Sequence, residues 1–175
     1  MDTTRSDHIV QNFLKKEEKF LRKVSTMSET LKTTSGQVFP LLCPTREADW
    51  IPGWHPELIY TNSGYAEENC VFRTKKSHSM NSSTWIFTDY KPNKYIKFVK
   101  IDSDIIQHCR IDLVQNSNET ITITFKTIST ALNLEGNKIL EKTKDHSDSN
   151  PIFKLMKTYL ENGEMISGLN PIAHS

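Results

Sequence analysis

Six stretches of β-forming residues follow one another in the middle of the chain with no helix between them, and this run limits the fold most. Each stretch carries β-branched or aromatic residues, and turn-forming residues separate it from the next. The predicted strands are 57–62, 69–75, 84–90, 95–101, 105–115 and 120–131. Successive hairpins of this kind predict an antiparallel meander.

In the last two of these strands mainly apolar residues alternate with mainly polar ones, which predicts one buried and one exposed face. On one face we expect Ile105, Cys109, Ile111, Leu113, Ile121, Ile123 and Phe125. The opposite face of the first strand carries Ile106, His108, Arg110 and Asp112. Because Arg110 and Asp112 are charged, that face is expected to contact water.

A strong helical pattern follows the strands. Asn150 is typical of an N-cap, Pro151 of a first helical position, and Gly163 of the residue after a helix. An apolar stripe at helical spacing consists of Ile152, Leu155, Met156, Tyr159 and Leu160. The stripe must pack on an apolar surface, and only the meander is large enough. The sequence therefore predicts an α+β fold in which a curved sheet wraps around a long C-terminal helix.

Shorter elements complete the prediction. Residues 19–28 are interpreted as an edge strand, followed by two short helices at 35–44 and 45–50. The first of these helices is expected to have Ser35 as its N-cap and to end at Pro44. Residues 134–143 favour another short helix.

No linker or repeat divides the chain. At 175 residues, one core buries roughly 70% of the unfolded surface, so neither a disulfide nor a metal is needed. We expect one domain at 18–166, after a polar leader at 1–17 and before a tail at 167–175. The leader carries only a weak helical stripe and is interpreted as frayed or loosely docked.

Composition removes several classes of function. Lys and Arg total 22 against 21 Asp and Glu, which argues against a dedicated nucleic-acid binder. No apolar run is long enough to span a membrane. The three cysteines, Cys43, Cys70 and Cys109, form no C-x-x-C motif, and no secretory signal precedes them. The cytoplasm is the expected compartment. Without a metal-ligand spacing or a phosphate-binding glycine loop, we expect no metal and no cofactor.

Several segments together carry a family resemblance. They are 38–44, 47–54, 57–64, 66–72, 84–90 and 130–137, of which Trp-Ile-Pro-Gly-Trp at 50–54 is the most specific. On these residues the chain resembles the START-like, or Bet v 1-like, helix-grip superfamily, in its polyketide cyclase-like (SRPBCC) branch. The resemblance covers about 20–163. It implies a cavity between sheet and helix but transfers no catalytic residue, because the superfamily hosts carriers, hormone binders, cyclases and chaperone regulators.

Aromatic side chains are the candidate ligand-binding residues, since they offer apolar area and, in Trp and Tyr, a hydrogen-bonding group. The candidates are Trp50, Trp54, Tyr60, Phe72, Trp85, Phe98, Phe125 and Tyr159. We expect them to hold a small hydrophobic molecule in the cavity. For the two tryptophans in the 50–56 loop the alternative is a structural plug, and for the others ordinary core packing.

Two other functions stay open. A polyketide cyclase-like enzyme would need an inward polar cluster, such as His108 with Tyr60 or Tyr90, and His78 would join it if the strands pair suitably. The shared face with Arg110 argues against an inward His108. No nucleophile motif is present, so the catalytic residues are left unassigned.

The third function is a protein-interaction domain like the chaperone regulators of the superfamily. It predicts a filled interior and an exposed patch, for which a basic hairpin is the candidate. The hairpin carries Lys91, Lys94, Lys97 and Lys100. We favour another interpretation of these lysines, that they protect an exposed strand from edge pairing. An exposed sheet edge also makes a homodimer an expectation.

Overall fold

The computed structural model describes residues 20–75, 82–116, 119–143 and 151–165. Its strands are β1 (Arg22–Leu31), β2 (Pro56–Tyr60), β3 (Val71–Thr74), β4 (Ser83–Lys91), β5 (Tyr95–Ile101), β6 (Ile105–Gln115) and β7 (Ile121–Ala131). They form one seven-stranded antiparallel sheet in the order β1-β7-β6-β5-β4-β3-β2. The meander is thereby confirmed, and β1 and β2 are the two edges of the sheet.

The helices are α1 (Ser35–Val38), α2 (Pro44–Glu47), α3 (Leu134–Lys142) and α4 (Pro151–Asn162), with a 3-10 turn at Phe39–Leu42. None of the helices in the described ranges is long and apolar enough to cross a membrane. The α+β helix-grip prediction is confirmed. The predicted leader at 1–17 and tail at 167–175 lie outside the described residues.

The single helix predicted at 35–44 is wrong. Four α-helical residues give way to the 3-10 turn, which begins just before Pro40, and Pro44 starts the next helix instead of ending the first. Both prolines occupy first-turn positions, where an amide hydrogen is not required. The N-cap is Thr34, which has an extended backbone, while Ser35 is already helical and its N–H donates to Gln115 Oε1.

The C-terminal helix follows the prediction closely. It begins at Pro151, whereas the proposed N-cap Asn150 lies outside the described residues. Gly163 has φ 72° and donates its N–H to Tyr159 O, as expected of the residue after a helix. Leu155 and Phe153 are both buried against the core of the sheet, although the predicted stripe omitted Phe153.

The lysine hairpin does not protect an edge, because β5 is hydrogen-bonded on both sides, to β4 and to β6. The interpretation of edge protection is therefore wrong. The four lysines also do not share one surface. Lys97 pairs with Asp89 at 2.7 Å on the convex face of the sheet, whereas Lys100 shares the concave face with buried Ile96 and Phe98.

Candidate ligand cavity

A cavity of about 230 Å³ lies where the short helices meet β4 and β5. Its walls are mainly apolar and its polar groups are few. The lining consists of Phe39, Pro40, Leu42, Cys43, Arg46, Tyr65, Ala66, Tyr90 and Ile96. Apolar walls with a few convergent polar groups are typical of small-molecule sites.

A β-bulge turns Tyr90 into this cavity. Phe87 pairs with Phe98, but the register shifts before Asp89, so that Tyr90 pairs with Ile96. Simple alternation from Phe87 would have directed Asp89 inward. The extra residue instead leaves Asp89 outside and places Tyr90 on the concave face, because a bulge re-aims the side chains that follow it.

One wall is formed by two stacked rings. The centroids of Phe39 and Tyr90 are 6.3 Å apart, and the ring planes differ by 25°. Phe39 belongs to the 3-10 turn and Tyr90 to β4, so the contact joins the short helices to the sheet. The wall therefore depends on both elements.

The Cys43 thiol fixes the loop that closes another side of the cavity. Its sulfur accepts the N–H of Ala66 at 3.3 Å and lies 3.3 Å from the Thr45 hydroxyl oxygen. The Glu67 carboxylate shapes the same loop by accepting the N–H groups of Asn62 and Ser63. These hydrogen bonds, with Asn62 the strongest, lower the pKa of Glu67.

Charged groups lie at the rim. Arg46 pairs with Asp49 at 2.6 Å, and both Asp49 and, to a lesser degree, Tyr159 raise the Arg46 pKa. Tyr159 belongs to α4, so the C-terminal helix reaches the rim through Arg46. Beside this rim, burial chiefly, and then Cys43, raise the pKa of the Glu47 carboxyl well above its ordinary value.

Five of the eight predicted ligand-binding residues form one run of ring contacts over the concave face. In order they are Trp54, Phe72, Trp85, Phe98 and Phe125. Neighbouring centroids in the run are 5.4 to 6.3 Å apart. The sequence therefore located a connected aromatic layer. Its part in ligand binding stays a prediction.

The other three candidates are placed differently. Trp50 is 1% exposed and donates its indole N–H to Leu41 O, as Trp54 does to Pro44 O, so both indoles fasten the loop to the short helices. Tyr60 is 56% exposed on edge strand β2. Tyr159 lies in α4 and contacts the cavity only indirectly, through its hydrogen bond with Arg46. In the described part of the chain, none of the eight lines the cavity of about 230 Å³.

Sequence reasoning missed most of the cavity lining. Phe39, Leu42 and Cys43 fall inside the resemblance segment 38–44, which was the available signal, but nothing distinguished Arg46 or Tyr65. The predicted polar cluster does not form: His108 is exposed on the convex face, opposite Tyr90. His78 lies outside the described residues.

Comparison with known proteins shows the fold. No family model and no curated protein matches the chain. Norcoclaurine synthase from Thalictrum flavum, a point mutant in complex with a transition-state analogue, matches with TM-score 0.61 and 15% identity over 85% of this chain and 100% of its own. Protein Mll3558 from Rhizobium loti matches with TM-score 0.60 and 12% identity over 81% and 99%. The Zhui aromatase/cyclase from a Streptomyces species matches with TM-score 0.54 and 14% identity over 69% and 83%.

The chain thus has the Bet v 1-like helix-grip fold, the one adopted by polyketide cyclase-like proteins, as its sequence segments indicated. At these identities the likeness defines architecture and not chemistry.

Proposed function

We propose that the protein binds a small, mostly apolar organic molecule in the cavity beside Tyr90. The observation that carries the proposal is the cavity itself, with apolar side chains at its walls and with Arg46 and Tyr65 at its rim. Apolar contact would supply most of the affinity, at roughly 25 cal/mol per Å² buried. The phenol and guanidinium groups would orient the ligand.

The size of the cavity limits the ligand. At about 230 Å³ it is smaller than the ~300–1,000 Å³ usual for drug-sized ligands, so we expect a molecule of one or two rings. Phe98 lies two residues beyond Ile96 on the same face of β5, which supports extension of the site toward the aromatic layer.

A cavity-filling variant tests the proposal. Ala66→Trp adds an indole to the lining, whereas Val24→Trp adds the same group to the convex face, where Val24 is 57% exposed. Calorimetric titration with indole and 2-naphthol should give binding to the wild type and to Val24→Trp, and none to Ala66→Trp. Equal binding to a correctly folded Ala66→Trp variant would refute the proposal. If the variants behave as expected, native mass spectrometry of protein purified from its own cells would identify the natural ligand.

The cyclase alternative has less support. It relied on an inward His108, and that side chain is exposed on the outer face. A binding function needs only the cavity.

Compartment and assembly belong to the same proposal. We place the protein in the reducing cytoplasm, because the three cysteines are free and buried. We also expect a homodimer through a sheet edge that no other described strand pairs, for which ten-residue β1 offers the longer surface. Light scattering at micromolar concentration would test the dimer.

A further inference from the structure

The concave face carries a polar row at the level of Trp85, away from the cavity. The inward residues at this level lie on five adjacent strands, in the order β1, β7, β6, β5 and β4, and each is the register partner of the next. They are Lys23, Ser129, Gln107, Lys100 and Trp85. Phe98, one inward position before Lys100 on β5, is 9% exposed and apolar. On β5 the row therefore follows an apolar pair, Ile96 and Phe98.

Lys100 lacks, among the described residues, the polar partners that Lys23 and Lys97 have on these strands. Lys23 donates to Thr143 O at 2.6 Å, and Lys97 pairs with Asp89 at 2.7 Å. Lys100 is partly buried, with its Nζ 5.2 Å from the centroid of the Trp85 ring. Within the described ranges, no carboxylate forms an ion pair with it.

This ammonium is poorly compensated. Burial lowers the pKa of Lys100, and the more distant negative charge of Asp102 offsets the effect only in part. A partly buried charge without a counter-ion costs free energy, and an anion that pairs with it recovers that cost.

A second donor lies beside Lys100. Gln107 is its direct register partner on β6 and donates one amide hydrogen to Ser129 Oγ at 3.0 Å. A side-chain amide has two hydrogens, and no acceptor for the second is found among the described residues. An ammonium and an amide N–H on neighbouring strands match the two oxygens of a carboxylate.

We propose that Lys100 and Gln107 bind the carboxylate of a small aromatic acid whose ring packs on Trp85. The site is distinct from the cavity, since Lys100 follows Ile96 by four residues, or about 13 Å of extended strand. It gives the concave face a cation that no carboxylate of the described residues pairs, whereas the cation of the cavity, Arg46, is paired with Asp49.

A matched pair of probes tests this assignment. 4-Phenylbutanoate and 4-phenylbutan-1-ol share the ring and the chain but differ in charge. By calorimetry at pH 7.5, the acid should bind the wild type about tenfold or more tightly than the alcohol, and Lys100→Met should remove that difference. Lys97→Met is the control, because this lysine lies on the opposite face of the same strand, and it should leave the affinity unchanged. Equal affinity for both probes, no binding of the acid, or an unaltered Lys100→Met variant would overturn the proposal.

A spectroscopic readout separates charge pairing from a merely structural role. In side-chain NMR, the acid should raise the pKa of Lys100 and the alcohol should not. Because pairing needs the ammonium, the affinity of the acid should fall as the pH rises through this pKa. An affinity for the acid that instead rises with pH would contradict the assignment. Ala66→Trp distinguishes this site from the cavity: if it abolishes binding of the acid, the acid lies in the cavity and Lys100 is not its anchor.

Discussion

Gly136→Ala should destabilise the protein even though alanine is the better helix former. An ideal Cβ at Gly136, in α3, would overlap Asp104 O and lie 3.1 Å from Ala131 Cβ. The Asp104 carbonyl is backbone, so it can yield only if α3 moves away from the turn between β5 and β6. That movement would strain the hydrogen bonds from Leu132 N to Asp104 O and from Asn133 Nδ2 to Ser103 O.

The magnitude follows from three contributions. Helix propensity favours alanine by about 1 kcal/mol, overpacking costs about 1–3 kcal/mol, and each weakened hydrogen bond costs about 1 kcal/mol. We expect a net loss of about 2–4 kcal/mol in the free energy of unfolding, or about 4–16 °C in Tm.

Gly36→Ala is the matched control. Gly36 is also helical, and its nearest atom to a new Cβ is 3.9 Å away, so this variant should gain about 0.5–1 kcal/mol. Urea unfolding followed by tryptophan fluorescence measures both variants. If Gly136→Ala proved as stable as Gly36→Ala, the close approach to Asp104 O would not be present in solution and the reasoning would fail.

Three further results are expected. Methyl methanethiosulfonate should modify Cys43 first, because Cys43 lines the cavity. Burial raises the pKa of Cys70 and raises that of Cys109 to about 11, so both form the reactive thiolate less readily. Peptide mapping that found Cys109 modified first would contradict this. Because burial raises the Glu47 pKa, the stability that Glu47 provides is full below its ordinary pKa of 4.5 and is lost as the pH rises through the folded value. In urea unfolding, the free energy of unfolding of Glu47→Gln should therefore rise relative to that of the wild type between pH 4 and pH 8. Parallel stability curves for the two proteins would disprove this effect of Glu47. Phe125→Ala should weaken 2-naphthol binding and should also lower the free energy of unfolding by about 2 kcal/mol. An unchanged affinity would contradict the extension of the site to the aromatic layer and would confine the ligand to the cavity.

Much of the sheet could be predicted because strands have a side-chain period of two. Alternation assigned Cys109 and Leu113 to the buried face and His108 to the exposed one, and the structure agrees. The same rule fails after Phe87, because a bulge changes which residues face inward and no residue type marks it. As a result, alternation alone would have directed Tyr90 outward, whereas in the structure Tyr90 lines the cavity.

The cavity could not be predicted for a different reason. Apart from Trp54, the aromatic layer lies on regular strands, where alternation locates Phe72 and Phe98. The cavity forms where segment 39–46 meets the loop at 65–66, and that meeting depends on tertiary contacts such as Ala66 N–H to Cys43 Sγ. Periodicity within one element carries no information about contacts between elements distant in sequence.

The pairing of β1 with β7 has a consequence for how the protein folds. Arg22 is paired with Thr130, 108 residues later, whereas each hairpin from β4 to β7 closes locally. Closing the longer loop costs more chain entropy and slows folding. The meander should therefore assemble first, and β1, although it is synthesised before the other six strands, should be among the last to join the sheet. During that interval one side of β7 is exposed, so this is the stage at which the protein is most vulnerable to aggregation.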